Sequence, residues 1–288
     1  MASPLAGRWD MTQGAGEDTF PSWLELTETS TGWEGRYVGI WGSSRPIETI
    51  EIEGECLVFS LPTQYEGYKV PMVFKGNLNG EVLEGFTNAQ DGSERLWKAA
   101  RAPGLERSGE PKMGETLNLI GEGMSGWKAR WDSAEFNWSN VEGALVNSAT
   151  GTDIISEQLF TDFKLVAEYS YPAESNSGIY LRGRYEFQVL DDYGQPPAMG
   201  SAGAIYGFFP PLVSAVKPHG EINRVEITLI GRRLTATLNG QLIHDDVEIP
   251  GITGGALDSD EGAPGPILLQ GDHGAVTYHK VEVTPITF

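Results

Sequence analysis

Residues 176–191 read NSGIYLRGRYEFQVLD, and the spacing of their apolar side chains predicts β-structure. Successive side chains of a strand point to opposite faces. Within the segment that follows Gly183, Glu186 and Gln188 therefore share one face, opposite Phe187 and Val189. If the extended run began earlier, the polar face would also carry Tyr180, Arg182 and Arg184, whereas a break at Gly183 would reset the phase. A row of charges and amides is costly inside a core, so we expect either a solvated face with Arg–Glu pairs or a site.

Short strand-like segments also make up most of the second half of the chain. One Asn-Gly pair, Asn239-Gly240, separates two of them and is a strong two-residue hairpin signal. No long amphipathic helix is apparent, and so many long strands around one core predict a two-sheet sandwich, a jelly roll, over residues 115–288. The predicted strands are Ala144–Asn147, Phe163–Tyr171, Gly178–Arg182, Tyr185–Leu190, Asn223–Ile230, Arg233–Leu238, Gln241–Ile249, Ile267–Gln270 and Ala275–Val283.

The first hundred residues predict a second all-β domain, a small barrel or meander. Short alternating segments recur there about every 10–13 residues, with turn signals such as Asn79-Gly80 between them. The opening Gly7-Arg8-Trp9 resembles the Gly-x-Trp start of lipocalin-like barrels. Residues 101–114 contain Pro103 and Pro111 and lack apolar periodicity, so they are interpreted as the linker between domains 1–100 and 115–288.

Composition narrows the classes of partner. The formal net charge of −20 disfavours nucleic acid and anionic membrane surfaces, which leaves neutral ligands such as sugars. A single cysteine, Cys56, excludes an intramolecular disulfide framework and a four-thiolate zinc site. The sequence has no run of about 18 apolar residues that would predict a membrane span, and Met1–Trp9 lacks the pattern of a secretory signal peptide.

Several motifs of the second domain, in order, resemble those of the 3-keto-disaccharide hydrolase family. The block at 176–191 is the most specific of them, and Ile222 stands where the family's Gly-Glu-Trp-Asn motif has tryptophan. The others are Asn118–Trp127, Gly203–Tyr206, Gly220–Asn223, Leu238–Gly240 and Gly265–Gly274. The resemblance covers about residues 115–288 and leaves the first domain outside it.

The resemblance implies a concanavalin A-like jelly roll that cleaves disaccharides or glycosides already oxidised to a ketone at carbon 3. It also implies a periplasmic or secreted location and functional pairing with a separate sugar oxidoreductase. No redox cofactor is implied in this chain.

Two further stretches could carry a site. Gln270-Gly-Asp-His273 follows a buried-looking strand, so its polar groups are expected at a rim, where sites are often built; a plain surface turn would look the same. The acidic loop Asp258–Gly262 offers oxygen ligands for Ca²⁺ without the full EF-hand spacing, and a solvated turn is the simpler interpretation.

The residues available favour elimination over ordinary glycoside hydrolysis. Ordinary glycosidases use two facing carboxylates, but Glu186 and Asp191 are five residues apart and would point to opposite faces of a strand. A 3-keto sugar instead needs one base for the acidified hydrogen on carbon 2, a partner for the enolate oxygen and an acid for the leaving group.

Under this hypothesis each role has candidates. Glu186 or His273 would be the base, Arg182 the enolate partner, and Asp272 the residue that orients His273. The expected substrate-binding residues are Asn176, Gln188 and Gln270 for hydroxyl groups and Tyr206 for stacking on the ring.

Two other functions fit the same residues. A jelly roll can also be a non-catalytic carbohydrate-binding protein, because fold alone does not determine function. Alternatively, the first domain could bind a small apolar ligand while the sandwich acts as a scaffold.

Overall fold

The computed structural model describes residues 3–63, 70–89 and 92–288 and is almost entirely β. The chain forms two structural units. The first unit comprises Met1–Gly104 and Gly251–Gly262, and the second comprises Leu105–Pro250 and Ala263–Phe288. Nowhere in the described part of the chain does a helix have the length and apolar character to cross a membrane. The all-β fold class predicted from the sequence is confirmed.

The first unit contains one nine-stranded antiparallel sheet. Its order is β4-β3-β2-β1-β9-β8-β7-β6-β5, so the chain meanders and the first and last strands are neighbours. The strands are β1 Gly7–Gln13, β2 Phe20–Thr29, β3 Gly32–Val38, β4 Arg45–Pro46, β5 Thr49–Glu53, β6 Cys56–Leu61, β7 Met72–Asn79, β8 Val82–Asn88 and β9 Glu94–Arg101.

Alternation along these strands builds one apolar core. On β1, Trp9 and Met11 are buried inside while Asp10 and Thr12 face out. On β6 and β7, Phe59 stacks on its cross-strand partner Phe74 with ring centroids 4.4 Å apart. Because side chains fill this core, an apolar ligand bound within it would have to displace them. The lipocalin-like topology stays a prediction.

A groove of about 1140 Å³ lies on the outer surface of the first unit. Strands β1, β7, β8 and β9 form its floor, and the segment Ser259–Gly262 lies along its edge. The cross-strand neighbours Phe86 and Leu96 both expose apolar surface there. Thr12 and Ser259 hydroxyl groups approach to 3.3 Å, which ties the edge segment to β1.

The second unit has two sheets. One has the order β13-β14-β23-β16-β19-β20-β21, with β10 and β11 also paired to β23; the other has the order β12-β15-β22-β17-β18. The strands are β10 Lys112–Met113, β11 Leu117–Asn118, β12 Trp127–Ala129, β13 Trp138–Val141, β14 Ala144–Asn147, β15 Ile154–Phe160, β16 Asp162–Ser170, β17 Asn176–Leu181, β18 Tyr185–Leu190, β19 Asn223–Ile230, β20 Arg233–Leu238, β21 Gln241–Glu248, β22 Gly265–Leu269 and β23 Val276–Thr287.

The two sheets pack through apolar faces, as a sandwich requires. Ser177 of β17 and Tyr278 of β23 meet there, with their hydroxyl oxygens 3.3 Å apart. The predicted hairpin at Asn239-Gly240 joins β20 to β21, and both turn residues have positive φ.

Part of the predicted linker is tied into the second unit. Lys112 and Met113 pair with the end of β23, and the Arg107 guanidinium donates to the Asp162 carboxylate at 2.5 Å. Gly251–Gly262, which the sequence places in the sandwich, groups with the first unit instead. There, adding a Cβ to Gly251 would overlap the indole of Trp23 at 2.1 Å, so this close approach needs glycine.

Candidate functional site

The candidate site lies on the face of the five-stranded sheet that points away from the other sheet. Strands β17 and β18 form a hairpin in which Tyr180 pairs with Glu186, and Gly178 pairs with Gln188. Ile179 and Phe187 point the opposite way, into the sandwich core, and are fully buried. The shared face of Glu186 and Gln188 predicted from the sequence is therefore present in the structure.

Glu186 is the central ionisable group of this face. The residue is 4% exposed, and the Tyr180 hydroxyl donates to its Oε2 at 2.9 Å. Burial raises the pKa of Glu186 to about 8, although the Tyr180 hydrogen bond and the nearby His273 oppose the shift. A carboxyl with a pKa near the working pH can both accept and return a proton, which is what acid–base catalysis requires.

Gly178 makes the room that this carboxyl occupies. A Cβ on Gly178 would lie 2.7 Å from Glu186 Oε1 and 3.1 Å from its Cγ. The glycine is therefore needed for its missing side chain, because the Glu186 side chain lies over Gly178, diagonally across the hairpin.

The turn after β22 brings Asp272 and His273 to the same face. The His273 Nδ1–H donates to Asp272 Oδ1, and the ring is about half exposed. This hydrogen bond raises the pKa of His273 against the opposing effect of burial, and the charges of Asp272, Glu186 and Asp153 add to it. The structure thus brings the three predicted residues Glu186, Asp272 and His273 into one electrostatic group.

Sequence reasoning missed an ion pair beside this group. Asp153 precedes β15 and is 1% exposed; its Oδ2 accepts from Arg130 at 3.0 Å, and its Oδ1 accepts the Gly271 N–H at 2.9 Å. Burial raises the pKa of Asp153, and the charge of Asp272 raises it further. The signal that could have revealed Asp153 is an aspartate directly before the buried pair Ile154-Ile155, on a strand that sequence reasoning did not predict.

Three amides complete the same face. Gln270 donates its backbone N–H to the Gly178 carbonyl, so Gln270, Gly178 and Gln188 lie in one row across three chain segments. Within the described part of the chain, the buried side-chain oxygens of Asn176, Gln188 and Gln270 have no hydrogen-bond partner. Buried amides are normally satisfied, so these three oxygens can accept hydrogen bonds from the hydroxyl groups of a ligand.

Tyr206 borders the site at the edge of β18. Its backbone N–H donates to the Glu186 carbonyl, while the adjacent Ile205 forms a bridge with Phe187. The Tyr206 side chain is half-buried, and a Cβ on Gly200 would lie 3.6 Å from its ring. This position suits the predicted contact with a sugar ring.

Arg182 does not join the site, which corrects the role predicted for it. Arg182 and Gly183 lie in the three-residue turn 182–184 between β17 and β18, with φ of +54° and +67°. The extended run therefore breaks there, while the pairing of Leu181 with Tyr185 keeps the same alternation of faces on both sides. The Arg182 guanidinium is buried on the opposite side, where it donates to the Tyr185 hydroxyl at 3.0 Å and to the Gly231 carbonyl at 2.9 Å. Its contacts are those of a structural residue of the sandwich core.

The acidic loop Asp258–Gly262 is a turn in the first unit, with the Asp260 N–H donating to Asp258 Oδ1 at 2.9 Å. Over the residues that the structure describes, no group of three or more His, Cys, Asp or Glu side chains has a metal-binding arrangement.

Fold and site together define an all-β protein with a cluster of ionisable and amide side chains on one sheet face. Residues 115–284 match the family described as the 3-keto-α-glucoside-1,2-lyase-like domain. The chain therefore belongs to this family and is a carbohydrate-acting protein, which confirms the resemblance noted in the sequence.

Solved structures give more distant likenesses. A glycosyl hydrolase candidate from Parabacteroides distasonis is 24% identical, with a TM-score of 0.49 over 62% of this chain and 92% of that chain. A second from the same organism is 21% identical, with a TM-score of 0.45 over 60% of this chain and 100% of that chain. The carbohydrate-binding module CBM66 from Bacillus subtilis is 12% identical, with a TM-score of 0.38 over 55% and 94%. No curated protein matches the chain.

Proposed function

We propose that this protein cleaves 3-keto glycosides by elimination across carbons 1 and 2 of the oxidised sugar, followed by hydration. The observation that carries the proposal is Glu186, a buried carboxyl with a pKa of about 8 on a polar sheet face. The family description, a 3-keto-α-glucoside-1,2-lyase-like domain, supports the same pair of carbons.

Glu186 acts as the base. A ketone at carbon 3 acidifies the hydrogen on carbon 2, and the ionised Glu186 removes it as a proton while the bonding electrons form an enolate. Tyr180 holds the carboxylate by its hydroxyl hydrogen bond. A base whose pKa is raised by burial is a stronger proton acceptor than an ordinary carboxylate.

His273 acts as the acid. When the enolate collapses, the ketone reforms, a double bond forms between carbons 1 and 2, and the bond from carbon 1 to the leaving oxygen breaks. The imidazolium of His273, oriented by Asp272, protonates that oxygen. Water then adds across the double bond and places hydroxyl on carbon 1 and hydrogen on carbon 2, which completes hydrolysis.

The unsatisfied amides would bind the remaining hydroxyl groups. Asn176, Gln188 and Gln270 present oxygens that lack partners within the described residues, and Tyr206 borders the same face. The partner is therefore a small neutral carbohydrate. A separate sugar oxidoreductase must supply the ketone, and the elimination itself is redox-neutral, so it needs no redox cofactor.

The experiment compares a 3-keto disaccharide with its unoxidised parent in deuterated water. We expect release of the reducing sugar only from the oxidised substrate, with deuterium at carbon 2 of the product. Cleavage of the parent at a comparable rate, without label at carbon 2, would replace this mechanism with ordinary glycoside hydrolysis.

Non-catalytic carbohydrate binding is the second candidate, because the unsatisfied amides would serve binding equally well. Glu186→Gln separates the two functions. An enzyme loses turnover and keeps affinity for the 3-keto sugar, whereas a binding protein shows affinity for that sugar and no turnover even before the change.

A further inference from the structure

Asp153 makes two contacts that only a carboxylate can make together. Its Oδ1 accepts from the Gly271 backbone N–H and its Oδ2 accepts from the Arg130 guanidinium, at 2.9 and 3.0 Å. An asparagine has one acceptor oxygen and would turn its NH₂ group toward one of these donors. Gly271 is the residue immediately before Asp272 and His273, so the contact acts on the turn that carries both.

The surroundings of Gly271 allow little alternative placement of that turn. A Cβ on Gly271 would lie 2.5 Å from the Thr152 carbonyl oxygen and 2.6 Å from Trp138 Nε1. The Trp138 indole in turn donates to the Thr152 carbonyl at 2.8 Å. The backbone beside Asp153 is therefore closely packed, and the carboxylate holds the start of the turn against it.

We propose that Asp153 is a positioning residue for the reaction inferred above: together with Arg130 it fixes the Gly271–His273 turn and supplies the negative charge that keeps His273 a proton donor. The inference rests on the proposed function for its catalytic part; its effect on His273 rests on the Asp153–Gly271 contact and on the charges around the ring.

Several groups besides Asp153 act on the charge of this turn. Asp272 holds the His273 ring directly, and Glu186 adds a negative charge when ionised. The Arg130 cation offsets the negative charge of Asp153. The Tyr180 hydroxyl donates a hydrogen bond to the Glu186 carboxyl. Removal of Asp153 would leave the Arg130 cation uncompensated, so the pKa of His273 should fall.

A matched control exists in the same unit. Asp162 is also buried, pairs with Arg107 and accepts a backbone N–H, that of Gly231, at 2.7 Å, but it begins β16 on the other sheet. Asp153→Asn and Asp162→Asn therefore remove equivalent contacts, and only the first is linked to His273.

The test follows the four histidine rings by NMR as the pH is varied, with His273 assigned from its absence in His273→Ala. In Asp153→Asn we expect the pKa of His273 to fall, while Asp162→Asn leaves it unchanged. With a 3-keto disaccharide, kcat should fall about tenfold or more with little change in KM in Asp153→Asn alone. Arg130→Gln, which keeps the carboxylate, should move the pKa of His273 upward.

An unchanged His273 pKa in Asp153→Asn, or equal changes in the two Asp→Asn variants, would overturn the proposal. If Asp153→Asn does not fold, Arg130→Gln provides the test: an unchanged or lower pKa of His273 in that variant would also overturn the proposal. If no 3-keto glycoside is a substrate, the proposed function fails while the NMR result still decides the role of Asp153.

Discussion

The core of the first unit and the outer face of the five-stranded sheet are both shielded from solvent, but they are built from opposite chemistry. The first is filled mainly by rings and aliphatic chains; its buried Gln13 donates to the Tyr37 hydroxyl, and the Gln13 side-chain oxygen has no partner among the described residues. The second buries Glu186, Asp153 and amides whose oxygens lack partners among the described residues. Burial stabilises apolar side chains and costs free energy for ionisable ones, so the buried carboxyls Glu186 and Asp153 are the groups that require a functional reason.

The largest effect should come from a cavity in the apolar core. Phe74→Ala removes a ring that stacks on Phe59 and should lower the free energy of unfolding by about 3–5 kcal/mol. Denaturant unfolding measures it, and kcat of the folded fraction should not change. Phe86→Ala, on the exposed side of the same sheet, is the matched control and should cost far less. Equal losses in both variants would contradict the inward and outward assignment of these strands.

The buried carboxyls should produce a pH dependence of stability. The unfolded Glu186 loses its proton near pH 4.5, whereas the folded one keeps it to about pH 8, so folding takes up a proton between these values. The free energy of unfolding should therefore fall by a few kcal/mol as the pH rises through this window. The raised pKa values of Asp153 and His273 act in the same direction. Thermal unfolding at several pH values checks the slope, and Glu186→Gln should flatten it.

A change on the polar sheet face should reduce turnover without reducing stability, whereas a change in the apolar core reduces stability alone. Glu186→Gln is nearly isosteric and not basic, so kcat on a 3-keto glycoside should fall by roughly 10²-fold or more, while stability at pH 8 rises. In the wild type, kcat should increase with pH toward about 8, since the base must be ionised. Full activity in Glu186→Gln would transfer the role of base to His273.

The smallest of these effects should come from a steric contact with the Glu186 side chain. Gly178→Ala would press a methyl group against the Glu186 carboxyl, and we expect a loss of kcat of about tenfold with a modest loss of stability. Gly262→Ala is the control in the first unit, because its added Cβ would lie at an ordinary contact distance of 3.4 Å from Pro103. A fully active Gly178→Ala would show that Glu186 tolerates displacement.

The parts of this molecule that follow from local pattern could be predicted from sequence. The alternation of side chains was sufficient to predict that Glu186 and Gln188 share a face, and the Asn239-Gly240 pair was sufficient to predict its hairpin. Arg182 was misplaced because two consecutive left-handed residues at the turn reverse the strand, and only one of them is glycine. Asp153 could not be linked to His273 because their juxtaposition depends on pairing between β15 and β22, which are distant in sequence.

The Arg182–Gly183 turn makes the hairpin sensitive to insertions and deletions. Tyr180 and Glu186 lie within one stretch of seven residues and meet because the loop between β17 and β18 allows Leu181 to pair with Tyr185. One residue removed after the turn would shift the register and send Glu186 into the sandwich core while Phe187 took its place, and one residue added would bring Tyr185 there instead. Among natural variants of this chain, length changes should therefore collect in other loops, and this hairpin should vary by substitution alone.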